Sequence, residues 1–174
     1  NNLLLQEEYG VDEDKIREYF PLTVVVEQTL AIYQELLSLT FTEIKEFDSS
    51  ATWHEDVRLF QVTDKDNSDN LIGHFYLDLH PRDGKYTHAA IFHLLKKNSR
   101  INQSAVDCML TNLPAASKNS DIPALLRHSD VVTFFHEFGH IMHGLCAEGD
   151  ANSTHLAKCP RDFVEVFFLL LLLL

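Results

Sequence analysis

The segment from Val131 to Leu145 constrains this chain more than any other. Val131, Phe134, Phe135, Phe138, Ile141, Met142 and Leu145 recur at three- and four-residue spacing. At 100° per residue they make one apolar stripe of a helix. Ser129 offers an N-cap and Asp130 a first-turn acid, and the helix is expected to run to about Cys146. His136, His140 and His143 fall opposite the stripe, with Glu137 to one side. The helix therefore separates a core from a polar site. Its centre, His136-Glu137-Phe138-Gly139-His140, is an H-E-x-x-H pattern. Two imidazoles one turn apart on one face can reach a single zinc ion, and the glutamate stands beside the metal as a base.

A zinc site of this kind needs a third protein ligand and one open position. His143 lies a turn further on, and the helix axis carries it away from a metal already held by His136 and His140. The longer pattern H-E-x-x-H-x-x-G-x-x-H fails, because His143 and Cys146 stand where it needs Gly and His. Glu148 and His155 lie in a polar connection, where a solvated residue is the plainer reading. Cys146 and Cys159 flank the same region without C-x-x-C spacing. Glu165 is the strongest candidate. Pro160 suits the first position of a second helix, and Glu165 then falls in its second turn. The plainer alternative is a surface glutamate on that helix.

The rest of the chain reads as mixed α and β. Residues 11–20 are acidic and partly helical in pattern. From Leu22 to Leu39 the positions Val25, Thr29, Ile32, Leu36 and Leu39 suggest an amphipathic helix. Asp48 to Ala51 reads as a polar turn. Val57 to Thr63 and Leu71 to Leu79 read as two strands of a hairpin around the turn formers Asp64 to Asn70, with Phe75, Leu77 and Leu79 on one face. His80 to Gly84 is a turn with Asp-Gly as its signal. Ala89 to Leu95 and Ala105 to Leu110 are candidate third and fourth strands, and Asp121 to Arg127 a short helical piece. At 174 residues the length suits one domain. Residues 1–166 are assigned to one domain carrying the H-E-x-x-H helix and residues 167–174 to a low-complexity apolar tail. The run from Val166 to Leu174 is too short to span a membrane, which takes about 20 residues.

The net charge of -12 argues against nucleic acid or an anionic membrane as partner. Three widely spaced cysteines do not make a secreted disulfide framework, and point instead to a reducing compartment.

The histidine helix resembles the signature helix of the thimet oligopeptidase and neurolysin family of zinc metallopeptidases, through His136-Glu137-Phe138-Gly139-His140-Ile141-Met142-His143. Similar segments are Tyr19-Phe20-Pro21, Ile32 to Leu37, Trp53 to Val57, Phe75 to Leu79 and Pro81 to Tyr86. The resemblance covers about Tyr19 to Val166. It implies that Asp162-Phe163-Val164-Glu165 carries the third ligand, 29 residues after His136. It implies an α+β, zincin-like catalytic region with a small, mainly antiparallel sheet and an active-site helix pair, a fragment of a larger, mostly helical protein. It also implies cleavage of short peptides in a deep channel lined by that sheet. The upstream segments look like the cytosolic branch and Cys159-Pro160 like the mitochondrial one, so the expected location is the cytoplasm, with the mitochondrion as the alternative.

The expected function is zinc-dependent endopeptidase activity on short peptides. His136, His140 and Glu165 hold one Zn²⁺, and Glu137 acts as general base toward metal-activated water. The alternative is a truncated zinc-binding fragment or interaction module, because the residues that stabilise the transition state in the family lie downstream of this segment.

Overall fold

The structure is a computed structural model of the chain, describing residues 10, 12–48, 50–116, 123–147, 160 and 164–165. A short helix, α1 (Glu13–Arg17), is capped by Asp12, whose carboxylate accepts from the backbone N–H of Asp14 and Lys15. Helix α2 (Leu22–Leu37) follows Pro21 and ends at Ser38, a left-handed residue with φ 53°. That conformation stops a helix by turning its next N–H back onto the last turn. Here the Ser38 N–H donates to Gln34 O, and the chain passes straight into strand β1 (Leu39–Ile44).

Two expectations fail here. Leu39 is the first residue of a strand, not the last of a helix. The stripe of α2 is also rotated: Leu22, Val25, Val26, Thr29, Leu30 and Tyr33 are buried, while Ile32 and Leu36 are exposed. Tyr33 explains the rotation. Its ring packs against Phe135 and Phe138, and its hydroxyl donates to Phe135 O at 3.1 Å. A large aromatic with a satisfied hydroxyl buries more surface than either aliphatic it displaces.

Strands β2 (Arg58–Asp64), β3 (Leu71–Asp78), β4 (Ala90–Leu95) and β5 (Ala105–Leu110) complete one five-stranded sheet, ordered β1-β2-β3-β5-β4. The hairpin of β2 and β3 is present as expected, and so are the third and fourth strands. Three of the four pairings are antiparallel; β3 and β5 run parallel, so the sheet is mixed. The buried face carries Phe60, Val62, Phe75, Leu77, Ala105 and Met109. The alternation of side chains along each strand places them there.

Helix α3 (His128–Cys146) lies across this face against β5, β3 and β4. Its Phe134, Phe138, Ile141, Met142 and Leu145 are buried as the stripe requires. Phe138 meets the Phe75 ring edge-on at 5.2 Å between centroids. The cap differs from the expected one. The helix starts at His128 with Arg127 as N-cap residue, and the Asp130 carboxylate accepts the Arg127 N–H at 2.9 Å; Ser129 is already inside. The expected helical piece before it is extended where described. Leu125 bridges Pro21, Leu22 N–H donates to Ala124 O, and Leu126 N–H to Phe20 O. These bonds tie the approach to α3 onto the start of α2.

A buried polar staple sets the approach to β4. The Asp78 side chain, 1% exposed, receives both guanidinium nitrogens of Arg82 at 2.6 and 2.7 Å, Trp53 Nε1 at 2.9 Å and Lys85 Nζ at 2.9 Å. Lys85 also donates to the carbonyls of Asp78 and His80. The expected turn at 80–84 lies inside this staple, with Gly84 at φ +77° and Lys85 N–H bonded to Arg82 O. Residues 167–174, assigned from sequence to an apolar tail, lie outside the described residues.

Candidate metal centre

Helix α3 brings His136 and His140 together because four residues make about one turn. Their Nε2 atoms are 3.1 Å apart. Glu165 comes from a second helical piece, in which Val164 N–H bonds to Pro160 O; Pro160 itself is not helical, so it precedes the helix rather than opening it. Glu165 Oε2 stands 3.1 Å from His136 Nε2 and 3.7 Å from His140 Nε2. In a tetrahedral zinc site, ligand atoms about 2.0–2.1 Å from the metal are about 3.3 Å from one another. The two nitrogens and the oxygen match that spacing and leave a fourth position over. Two imidazoles and a carboxylate are also a donor set zinc accepts, so the residues fit the ion.

The three line a cleft of about 300 Å³ together with Glu137, His143, Val164, Ile91 and His93. The cleft runs between the polar side of α3 and strand β4. Burial pushes the Glu137 carboxyl up and the charge of Glu165 adds to this, while His136 pulls the other way. Burial and then His136 lower the pKa of His140, against the pull of Glu165. A neutral imidazole has the lone pair that ligation needs. His143 faces the same cleft and is lowered by burial and then by His93. Cys146 is exposed and absent from the lining. Glu148, His155 and Cys159 lie outside the described residues.

Sequence reasoning missed the opposite wall. Ile91 and His93 are two residues apart on β4 and so share a face. His93 Nδ1 is 2.8 Å from Asp107 Oδ1, and the Asp107 side chain is 2% exposed. The only sequence signal was this alternation within the expected third strand; Asp107 joins it by antiparallel register.

Gly144 of α3 rests on this pair. A Cβ there would overlap Asp107 Oδ2 and come within 3.0 Å of the His93 ring. Alanine normally improves a helix interior over glycine by about 1 kcal/mol. At this site the sign reverses: Gly144→Ala is expected to destabilise by about 1–3 kcal/mol in urea or thermal unfolding. An unchanged or raised midpoint would mean that Asp107 moves aside at no cost.

Comparison with known proteins fits this geometry. The sequence model of Peptidase family M3 matches residues 1–170. The chain belongs to Peptidase family M3. It is 41% identical over 168 residues to a thimet-like oligopeptidase of Dictyostelium discoideum, covering 95% of this chain and 24% of that protein. It is 39% identical over 171 residues to saccharolysin of Saccharomyces cerevisiae, with the same coverage. Oligopeptidase A of Escherichia coli is 31% identical over 165 residues, 91% of this chain and 23% of its own length. The chain thus spans about a quarter of the length of these curated relatives. Among the described residues, no helix of this M3 chain is long and apolar enough to cross a membrane.

Proposed function

We propose that this M3 segment is the metal-binding part of a zinc-dependent endopeptidase acting on short peptides. The observation that carries the reading is the convergence of His136 Nε2, His140 Nε2 and Glu165 Oε2 within 4.8 Å of one another, on the wall of a cleft. Family membership and the oligopeptidase names of the relatives support the substrate class. In this reading residues 1–166 are a partial catalytic domain of zincin type, and the helix pair is α3 with the helical piece that carries Glu165. The cytoplasm is the proposed location, on the cysteine usage and the resemblance.

His136, His140 and Glu165 would hold one zinc ion. Bound there, zinc supplies Lewis acidity toward water and a peptide carbonyl. Glu137 does the proton work. It follows His136 directly and lines the same cleft, where burial raises its carboxyl. Its carboxylate oxygen takes the proton of the attacking water and returns it to the leaving nitrogen. Strand β4 supplies the facing wall, so the peptide lies between β4 and α3.

The test is metal content followed by turnover. One equivalent of zinc is expected, removable by chelator, with Glu165→Gln lowering zinc affinity by at least about 100-fold. Affinity unchanged in that variant would remove Glu165 from the site. Chelator-sensitive cleavage of a quenched short peptide supports the enzyme. Stoichiometric zinc without turnover supports the second reading, a catalytically silent zinc-binding fragment or interaction module.

A further inference from the structure

Asp107 interrupts the apolar face of the sheet beneath α3. Ala105, Asp107 and Met109 alternate onto that face, and the carboxylate is as buried as its neighbours. A buried polar group in such a place calls for an explanation. His93 Nδ1 lies 2.8 Å from Oδ1. Oδ2 has no hydrogen-bond partner among the described residues and points at Gly144. The direction a β-carbon would take there is one of the two Cα–H directions of glycine. A Cα–H therefore meets the oxygen, a weak but close contact. The carboxylate is a stop on which the helix rests. It has little room to retreat, because β5 is paired with β3 on one side and β4 on the other. The close approach continues at Gly73 of β3, where a β-carbon would come within 2.9 Å of Leu145 Cδ2. The middle of α3 is instead held off the sheet by rings, with Phe138 packed against Phe75, Phe41 and Tyr33.

Gly144 also continues the i, i+4 row of His136 and His140. The first two members of the row converge on Glu165, and the third sits on Asp107. We propose that Asp107 is a positioning residue of the metal centre, setting through Gly144 the depth at which the last turns of α3 lie and so the place of His140. The inference rests on the zinc reading above. Glu165 comes from a different piece of the chain, so the depth of the histidine row decides whether the three donor atoms meet. His140 stands about 6 Å along the helix from the stop. Metal–ligand distances tolerate only about 0.2 Å. Seating a β-carbon at residue 144 would lift the last turn by roughly 1 Å.

The 174-residue chain is titrated with zinc against a chromophoric chelator, and with cobalt, whose visible absorption reports ligand geometry. Gly144→Ala overfills the contact and Asp107→Ala empties it. Each is expected to weaken zinc binding about tenfold and to shift the cobalt bands. The two together exchange one small group for another, and the double variant is expected to return to within about threefold of wild type. Asp107→Asn keeps the shape without the charge and is expected to match wild type. Urea midpoints measured alongside establish that each variant is folded during the titration. If Gly144→Ala does not fold, Asp107→Ala set against the double variant and against Asp107→Asn carries the same test. Zinc binding and cobalt bands unchanged in the folded single variants overturn the proposal, since the contact then serves stability alone. So do losses that add in the double variant, and so does an Asp107→Asn that falls as far as Asp107→Ala, which makes charge rather than shape the operative property. A wild-type chain that takes no zinc overturns the metal reading and this inference together. A wild-type chain that takes zinc, with variants that bind it equally, overturns this inference alone.

Discussion

Glu137→Gln is expected to lower peptide turnover by about 10²–10⁴-fold while zinc content stays unchanged. At 1.36 kcal/mol per tenfold, that is roughly 3–5 kcal/mol of barrier. The two parts of the result come from different features of the site. Glutamine has the shape of glutamate but does not accept a proton from water, so proton transfer is what is removed. Zinc is retained because the converging donor atoms belong to His136, His140 and Glu165, not to Glu137. Steady-state cleavage of a quenched peptide with parallel metal analysis reads both. Undiminished turnover would remove Glu137 from the role of base. Loss of zinc together with turnover would make it a ligand.

Asp78→Ala is expected to cost about 3–5 kcal/mol of folding stability, the usual consequence of removing one partner of a buried ion pair. The Lys85 side chain is 1% exposed and would be left beside Arg82 with no carboxylate between them. The effect has a pH signature. Taken singly, burial acts most strongly on Asp78 and pushes its carboxyl up; Arg82, Trp53 and Lys85 together outweigh it and hold it far below the ordinary range. A folded-state pKa lowered in this way stabilises the protein above the unfolded value of about 3.9. That stabilisation is lost as pH falls from there toward the folded value. Urea midpoints measured from neutral pH down to about pH 2 should therefore fall in wild type below about pH 4, and fall less in Asp78→Asn. Equal slopes would show that the staple does not depend on the charge of Asp78. Because the staple holds the turn that leads into β4, the same substitution should disturb the wall bearing Ile91 and His93.

Local pattern carried the helix that matters. The stripe through Phe134, Phe138, Ile141, Met142 and Leu145 is buried, and the histidines it set apart line a cleft. The hairpin and two further strands were legible from alternation. Features that rest on distant partners were not. Strand β1 hid behind Leu39 because the helix stop at Ser38 uses neither Gly nor Pro. The segment before α3 reads as helical by composition, yet its backbone bonds go to Phe20 and Leu22, about a hundred residues away. The parallel pairing of β3 with β5 leaves no mark in either strand taken alone.

The sequence by itself determined which side chains share one side of the cleft. A 3.6-residue repeat fixes which side chains share a helical face, so His136, Glu137 and His140 were readable without coordinates. Glu165 was nameable as a candidate, but only the tertiary structure set its oxygen 3.1 Å from His136 Nε2. The opposite wall was decided by the tertiary structure alone. Asp107 and His93 meet through sheet register, and Gly144 makes room for them from a third element. Contacts of that kind depend on how strands and helices are packed, and neither the period of a strand nor that of a helix encodes it.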